Sequence, residues 1–198
     1  DGRIKERPSL NEPAVTGRLD YYPYREIQND SNQSLRLGAS GYFGGLDNRD
    51  QGKNQGLVDG ESGIVPADFE YSVCKLDFRG AIAHINIDGA RQIGNNVAEE
   101  VFGWYLEGAY HWLPEEWKTG RPAKADVTFF LRHDDYDTQY EMPSGVSKNR
   151  AGNRTDWTFG TNFYLTPNLV LKADYQIRDD DSSSDPDNLL NLGVGWAF

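Results

Sequence analysis

Apolar and polar residues alternate with a period of two along most of this 198-residue chain. In the last segment the side chains of Leu190, Leu192, Val194, Trp196 and Phe198 fall on one side of an extended backbone, and small or polar residues fall on the other. A period of two is typical of a β-strand with one apolar face. The pattern therefore predicts an amphipathic strand at the end of the sequence.

The same alternation returns in eight earlier segments. Most are about 9–11 residues long, the length with which a tilted β-strand crosses a bilayer. The nine strands are predicted at residues 14–22, 34–43, 67–73, 75–87, 100–113, 125–135, 156–165, 169–178 and 189–198. The fold class that follows is all-β, an antiparallel transmembrane β-barrel with about nine strands in this chain.

Hydropathy is compatible with this class. The mean hydropathy is −0.72, and no run of about 18 apolar residues is present that could form a membrane-spanning helix. In a transmembrane barrel only alternate residues face lipid, so its average hydropathy stays low. The formal net charge of −11 argues against nucleic acid as a partner, since nucleic-acid binding surfaces are basic.

The connections between the predicted strands alternate in length. If the last strand runs toward the periplasm, short periplasmic turns lie at 73–74 and 166–168, and long external loops lie at 45–66, 138–154 and 179–187. On this orientation residues 1–12 are an external loop. Because single-chain barrels have an even number of strands, we expect these nine to be the C-terminal part of a larger barrel.

The polar faces of the strands carry charges of both signs. A channel breaks no bonds, so its selectivity depends on its width and on the charges that line it. The predicted pore-lining residues are Arg18, Arg36, Arg79, Arg132, Lys172, Arg178, Asp126, Asp134 and Asp174. The competing interpretation is that these side chains pair across strands and stabilise the wall without affecting permeation.

Aromatic residues recur near the ends of the apolar faces. Trp104 and Trp112 are eight residues apart on one face, a spacing that covers most of the lipid band of a tilted strand. Such side chains form the two interfacial girdles of outer-membrane barrels. The predicted girdle residues are Trp104, Tyr110, Trp112, Trp157, Phe163 and Trp196.

Residues for catalysis or metal binding are sparse. None of the three histidines, His84, His111 and His133, stands in a recognisable Ser-His arrangement, and no two have ligand spacing. The acidic segment 178–188 lacks the spacing of an EF-hand and is expected to be a solvated external loop, with divalent-cation bridging to lipopolysaccharide as the alternative. We expect no enzyme activity, no metal and no cofactor.

Three stretches resemble the C-terminal portion of a known porin family. They are FGWYLEGAYHWL (102–113), TDWTFGTNFYLTPNLVLKADYQI (155–177) and NLGVGWAF (191–198), and they are similar to Gram-negative phosphate-selective porins O and P. The resemblance extends over most of the chain from about Ala14 onward. The basic residues behind anion preference in that family do not align with this segment.

The resemblance implies a location and a set of partners. The protein is expected in the outer membrane, as a homotrimeric channel of 16 strands for the passive diffusion of small hydrophilic solutes, with a possible preference for anions such as phosphate. Its surroundings would be outer-membrane lipid and lipopolysaccharide. The resemblance also implies that Phe198 is the signal read by the barrel-assembly machinery.

Two other functions remain open at the level of sequence. A lipocalin-like or membrane β-barrel could turn its apolar face inward and hold one small ligand, because its strands alternate in the same way. An outer-membrane barrel hydrolase is the less favoured alternative, since no motif supports it.

Overall fold

The protein is described here as a computed structural model that covers residues 13–24, 33–45, 60–114, 116, 125–183 and 185–197. The strands are β1 (Ala14–Tyr24), β2 (Gln33–Gly45), β3 (Glu61–Val73), β4 (Leu76–Ile87), β5 (Glu100–His111), β6 (Asp126–Glu141), β7 (Asn153–Thr166), β8 (Leu169–Asp180) and β9 (Asp187–Trp196). One helical turn, α1 (Ala90–Ile93), follows β4, and a 3₁₀ turn (Arg150–Gly152) precedes β7.

All nine strands belong to one antiparallel sheet in which each strand pairs with its neighbours in sequence. Within the described residues β1 pairs only with β2 and β9 only with β8, so the sheet is open at both edges. The nine predicted antiparallel strands are therefore confirmed. The predicted external loop at 1–12 and the terminal Phe198 lie outside the described residues.

The strand bounds differ from the predicted ones by no more than three residues at most ends and by six residues at two places, where the connections between strands are shorter than expected. β3 begins at Glu61 and not at residue 67, because Pro66 does not end the strand. The ladder between β2 and β3 passes from Ala67 to Ile64, so Pro66 lies where the pairing with β2 lapses and its missing N–H breaks no bond there.

The second difference concerns β6, which continues to Glu141 and not only to residue 135. Its last residues, DDYDTQYE, are polar on both faces, so the alternation that marks a membrane strand ends before the strand does. β6 and β7 continue their ladder to the pair Asp137 and Asn153. Hydrogen bonding therefore extends the hairpin beyond its amphipathic part.

Cross-strand register sorts the side chains onto two faces. Directly opposite residues share a face, and one row of such partners reads Tyr21, Leu37, Phe69, Gly80, Leu106, His133, Trp157 and Ile177. We call this side the apolar face and the other side the polar face.

Within the ranges that the structure describes, no second layer covers the apolar face of the sheet. In the part of the chain described, the buried apolar residues are Ala90, Ala98, Leu113 and Ala125, none of which lies within a strand. On the apolar face Leu106 is 48% exposed, whereas its neighbour Glu107 on the polar face is 5% exposed. Side chains crowd on the inside of a curved sheet and spread on its outside, so the sheet curls around its polar face.

Helices contribute little to this architecture. No helix in the described ranges is long and apolar enough to cross a bilayer. The turn α1 closes the connection between β4 and β5, where the N–H of Gly94 donates to the carbonyl of Ala90. The sheet alone therefore positions the candidate functional residues.

Candidate functional site: the polar wall

All nine residues predicted to line a pore lie on the polar face. In β2 to β7 each of these residues lies an odd number of positions along its strand from the member of the apolar row, so its side chain projects to the opposite face. The pairing of β8 with β7 continues the same alternation. The structure therefore brings together the whole predicted set: Arg18, Arg36, Arg79, Arg132, Lys172, Arg178, Asp126, Asp134 and Asp174.

Charges alternate in sign across five neighbouring strands. Arg36, Glu70, Arg79, Glu107 and Arg132 stand directly opposite one another in sequence from β2 to β6, and we call this row the charge belt. Arg36 Nη2 lies 3.0 Å from Glu70 Oε1, and Arg79 Nη2 lies 2.5 Å from Glu107 Oε1. Opposite charges at directly paired positions stabilise a sheet, so the belt reinforces this register.

A second group of charges surrounds a glycine next to the belt. Asp20 and Asp68 each accept from both Arg18 and Arg36, at distances between 2.6 and 3.0 Å. Gly38 lies between the two aspartates in the ladder, and a Cβ there would come within 2.3 Å of Arg18 Nη2. The missing side chain leaves the space in which the two guanidinium groups cross.

The remaining basic residues of the wall are paired less evenly. Arg132 donates through Nε and Nη2 to Asp134 and lies with its guanidinium carbon 4.0 Å from the centre of the Tyr105 ring. Arg178 is 4.0 Å from Asp156, a long contact for an ion pair. Among the described residues, Lys172 makes no ion pair.

A histidine is held between two carboxylates toward the β5–β6 connection. His111 of β5 bonds through Nε2 to Asp77 of β4 at 2.7 Å and through Nδ1 to Asp126 of β6. Thr128 Oγ1 is 3.4 Å from the same Nδ1. We call Asp77, His111 and Asp126 the histidine clamp.

The clamp was only partly visible in the sequence. Asp126 was predicted to line the pore, whereas no partner was predicted for His111 or Asp77. Period-two alternation assigns a face but not the offset between strands, and that offset is what brings the three residues together.

Two open hollows lie on the polar wall. The larger, of about 500 Å³, is bounded by Arg79, Arg132, Asp156, Lys172 and Asp174 and extends over β4 to β8. The smaller, of about 330 Å³, lies beside the histidine clamp. Both are polar and face the inside of the curve, so charged side chains there would meet any solute that passes along it.

The predicted girdle residues lie on the opposite, apolar face at its two ends. At one end, Trp112 and Phe163 lie in the same cross-strand row. Trp196 lies in the next row toward the edge of the face, and Tyr110 lies in the next row toward its middle. Toward the other end the ring of His133 is 5.1 Å from that of Trp104 and 4.3 Å from that of Trp157. The aromatic side chains thus form two groups separated along the strands.

Comparisons with known proteins support the fold. No family model matches the chain. An uncharacterized protein of Aquifex aeolicus is 25% identical over 198 residues, which are 93% of this chain and 41% of that protein. The chain therefore spans less than half of the length of this relative.

Two solved porin structures are similar to the chain. A BenF-like porin from Pseudomonas fluorescens matches with a TM-score of 0.51 and 11% identity, over 93% of this chain and 47% of the porin. OccK5 (OpdH) from Pseudomonas aeruginosa matches with a TM-score of 0.43 and 16% identity, over 93% and 58%. The first likeness shows the fold, the antiparallel sheet of a porin barrel. Neither structure is described as a phosphate-selective porin, so that narrower family has no support here.

Proposed function

We propose that this chain forms part of the wall of an outer-membrane channel through which small hydrophilic solutes diffuse passively. The observation that carries the proposal is the division of one continuous sheet into an exposed apolar face and a charged inner face. An exposed apolar band of this extent is unfavourable in water and favourable against lipid. A charged concave face is what a water-filled lumen needs.

The direction of curvature separates this function from ligand binding. A lipocalin-like barrel that holds a small apolar ligand would enclose its apolar side chains. Here the enclosed side chains include Glu107, Thr128 and Thr158, whereas Phe159 and Leu192 lie on the exposed side. The channel is therefore the better supported of the two functions.

A working channel also needs a closed barrel. The outer edges of β1 and β9 have no partner among the described residues, and an unsatisfied backbone group in lipid costs several kcal/mol. We propose that further strands close the barrel, in agreement with the 16 strands that the family resemblance implies. The match of this chain to 47% of the BenF-like porin supports the same idea.

Four more specific expectations about this channel remain predictions. They are a preference for anions such as phosphate, assembly as a homotrimer, contact with lipopolysaccharide, and recognition of Phe198 by the barrel-assembly machinery. Each follows from the family resemblance and not from a contact in the structure. The charge of the polar wall gives an independent basis for the opposite preference.

Conductance in planar bilayers tests the channel. The full-length protein, purified from membranes, should produce stepwise current increases, because only a closed and water-filled barrel conducts ions. The same preparation after heat denaturation is the control. If folded protein, verified by its heat-dependent migration on gels, inserts into bilayers and produces no steps, the channel proposal is wrong.

A further inference from the structure

Carboxylates outnumber cationic side chains on the polar wall. Most of the surplus lies in two places, and Asp187 of β9, directly opposite Arg178, adds one further carboxylate. Elsewhere the charges balance in pairs: Arg79 with Glu107, Arg132 with Asp134, and Arg178 with Asp156. Arg154 stands directly opposite Asp180, and Lys172 is two residues from Asp174 on the same face. Each of these five cations is matched in number by one carboxylate, so together they add no net charge to the wall.

The first surplus lies on β1 to β3. Arg18 and Arg36 contact three carboxylates, those of Asp20, Asp68 and Glu70. Two positive charges therefore meet three negative charges. The side chain of Glu70 is 60% exposed, so its carboxylate reaches the water inside the curve of the sheet.

The second surplus is the histidine clamp. His111 supplies at most one positive charge, and its two partners, Asp77 and Asp126, supply two negative charges. Asp77 and His111 of the clamp border the smaller hollow, together with Glu70 and Ser72. Both surpluses thus face the same inner space.

We propose that this wall makes the channel prefer small cations to anions, and that Glu70 and Asp77 are specificity-determining residues. The proposal rests on the channel function argued above. Fixed charges along a narrow, water-filled path raise the local concentration of ions of opposite sign. The excess of carboxylates would therefore favour K⁺ over Cl⁻, in contrast to the anion preference that the family resemblance implies.

Reversal potentials of the full-length protein in a KCl gradient measure this preference. We expect a ratio of K⁺ to Cl⁻ permeability above one at low salt and a ratio near one at high salt. The reason is screening, because the Debye length falls from about 30 Å at 0.01 M to about 3 Å at 1 M. A preference set by pore width alone would not fade in this way.

Single substitutions assign the effect to residues. Glu70→Gln and Asp77→Asn should each lower the K⁺ to Cl⁻ ratio, and Lys172→Gln should raise it. Asp179→Asn is the matched control, because Asp179 lies on the apolar face of β8 and its loss removes the same charge from outside the lumen. The control should leave the ratio unchanged.

A Glu70→Cys variant in a Cys74→Ser background tests the charge within one folded channel. Modification by a cationic thiol reagent during recording should lower the K⁺ to Cl⁻ ratio, and modification by an anionic reagent should raise it. Conducting channels that prefer Cl⁻, or that show no response to either reagent, would overturn this proposal and leave the channel function intact. A protein without conductance would overturn both.

Discussion

At the residue scale, the pair of Arg79 and Glu107 is buried on one side only. The side chain of Glu107 is 6% exposed, whereas that of Arg79 is 56% exposed. Two guanidinium nitrogens of Arg79 donate to the same carboxylate oxygen, at 2.8 and 2.5 Å. The carboxylate therefore depends on the arginine more than the arginine depends on the carboxylate.

This asymmetry predicts unequal costs of mutation. Arg79→Gln leaves a buried carboxylate without its donors and should lower the free energy of unfolding by about 1–3 kcal/mol. Glu107→Gln leaves a guanidinium that water can solvate and should cost less. Urea unfolding in lipid vesicles, followed by tryptophan fluorescence, compares the two, with Lys172→Gln as the control for loss of an unpaired cation. Equal costs for Arg79→Gln and Glu107→Gln would refute the asymmetry.

The position of Phe130 on the polar face also has an explanation at the residue scale. It is an apolar aromatic residue that interrupts the alternation of β6, and it lies on the polar face opposite its cross-strand partner Gly160. A Cβ at Gly160 would come within 2.2 Å of the Phe130 ring. An aromatic side chain that covers a cross-strand glycine shields exposed backbone, so this exception to the pattern has a packing role.

At the element scale, register decides which face each residue occupies. β8 pairs with both neighbours without a shift between Val170 and Arg178, so Leu171 and Lys172 project to opposite faces. A slip of one residue would exchange all of its apolar and polar side chains. The strand is therefore a direct test of the assigned faces.

Cysteine labelling tests this assignment on β8. In a Cys74→Ser background, Lys172→Cys should react quickly with a water-soluble thiol reagent, and Leu171→Cys should react slowly because lipid covers it. Labelling in denaturant provides the reference for full reactivity at each position. The assignment of the two faces is wrong if position 171 reacts quickly and position 172 is protected.

At the scale of the whole molecule, the described part of the chain lacks the apolar core of a two-layer domain. Its exposed apolar side chains include Leu19, Leu106, Phe159, Leu192 and Val194, which extend from β1 to β9. Burial against lipid must replace burial against a second layer. We predict that the aromatic groups at the two ends of this face lie at the two membrane interfaces.

Quenching by brominated lipids tests the aromatic girdles. Trp104 and Trp112 are eight residues apart, about 26 Å along a strand at roughly 3.3 Å per residue, and at a tilt of about 35–45° this distance covers about 20 Å of the roughly 25 Å apolar band of an outer-membrane barrel. Variants that retain only Trp104 or only Trp112 should be quenched more by bromine near the headgroups than by bromine deep in the acyl chains. Retention of Trp196 alone should give the same profile. Stronger quenching by deep bromine, or none at all, would contradict the girdle assignment.

Much of the fold followed from local pattern. Alternation located all nine strands and separated the apolar from the charged residues, because a strand that lies between lipid and water must repeat every two residues. The pattern was least informative at strand ends. Pro66 inside β3 and the polar end of β6 were interpreted as loops, since neither carries the alternation although both are hydrogen-bonded.

What no local pattern contains is the offset between strands. The charge belt, the crossing of two arginines over Gly38 and the histidine clamp all depend on which residue of one strand faces which residue of the next. A period of two is unchanged by a shift of two residues, so many registers satisfy the same alternation. The face of each residue could thus be predicted from the sequence one strand at a time. Which charges lie opposite one another on the inner wall was decided only when the hydrogen-bonded ladders set the strands side by side.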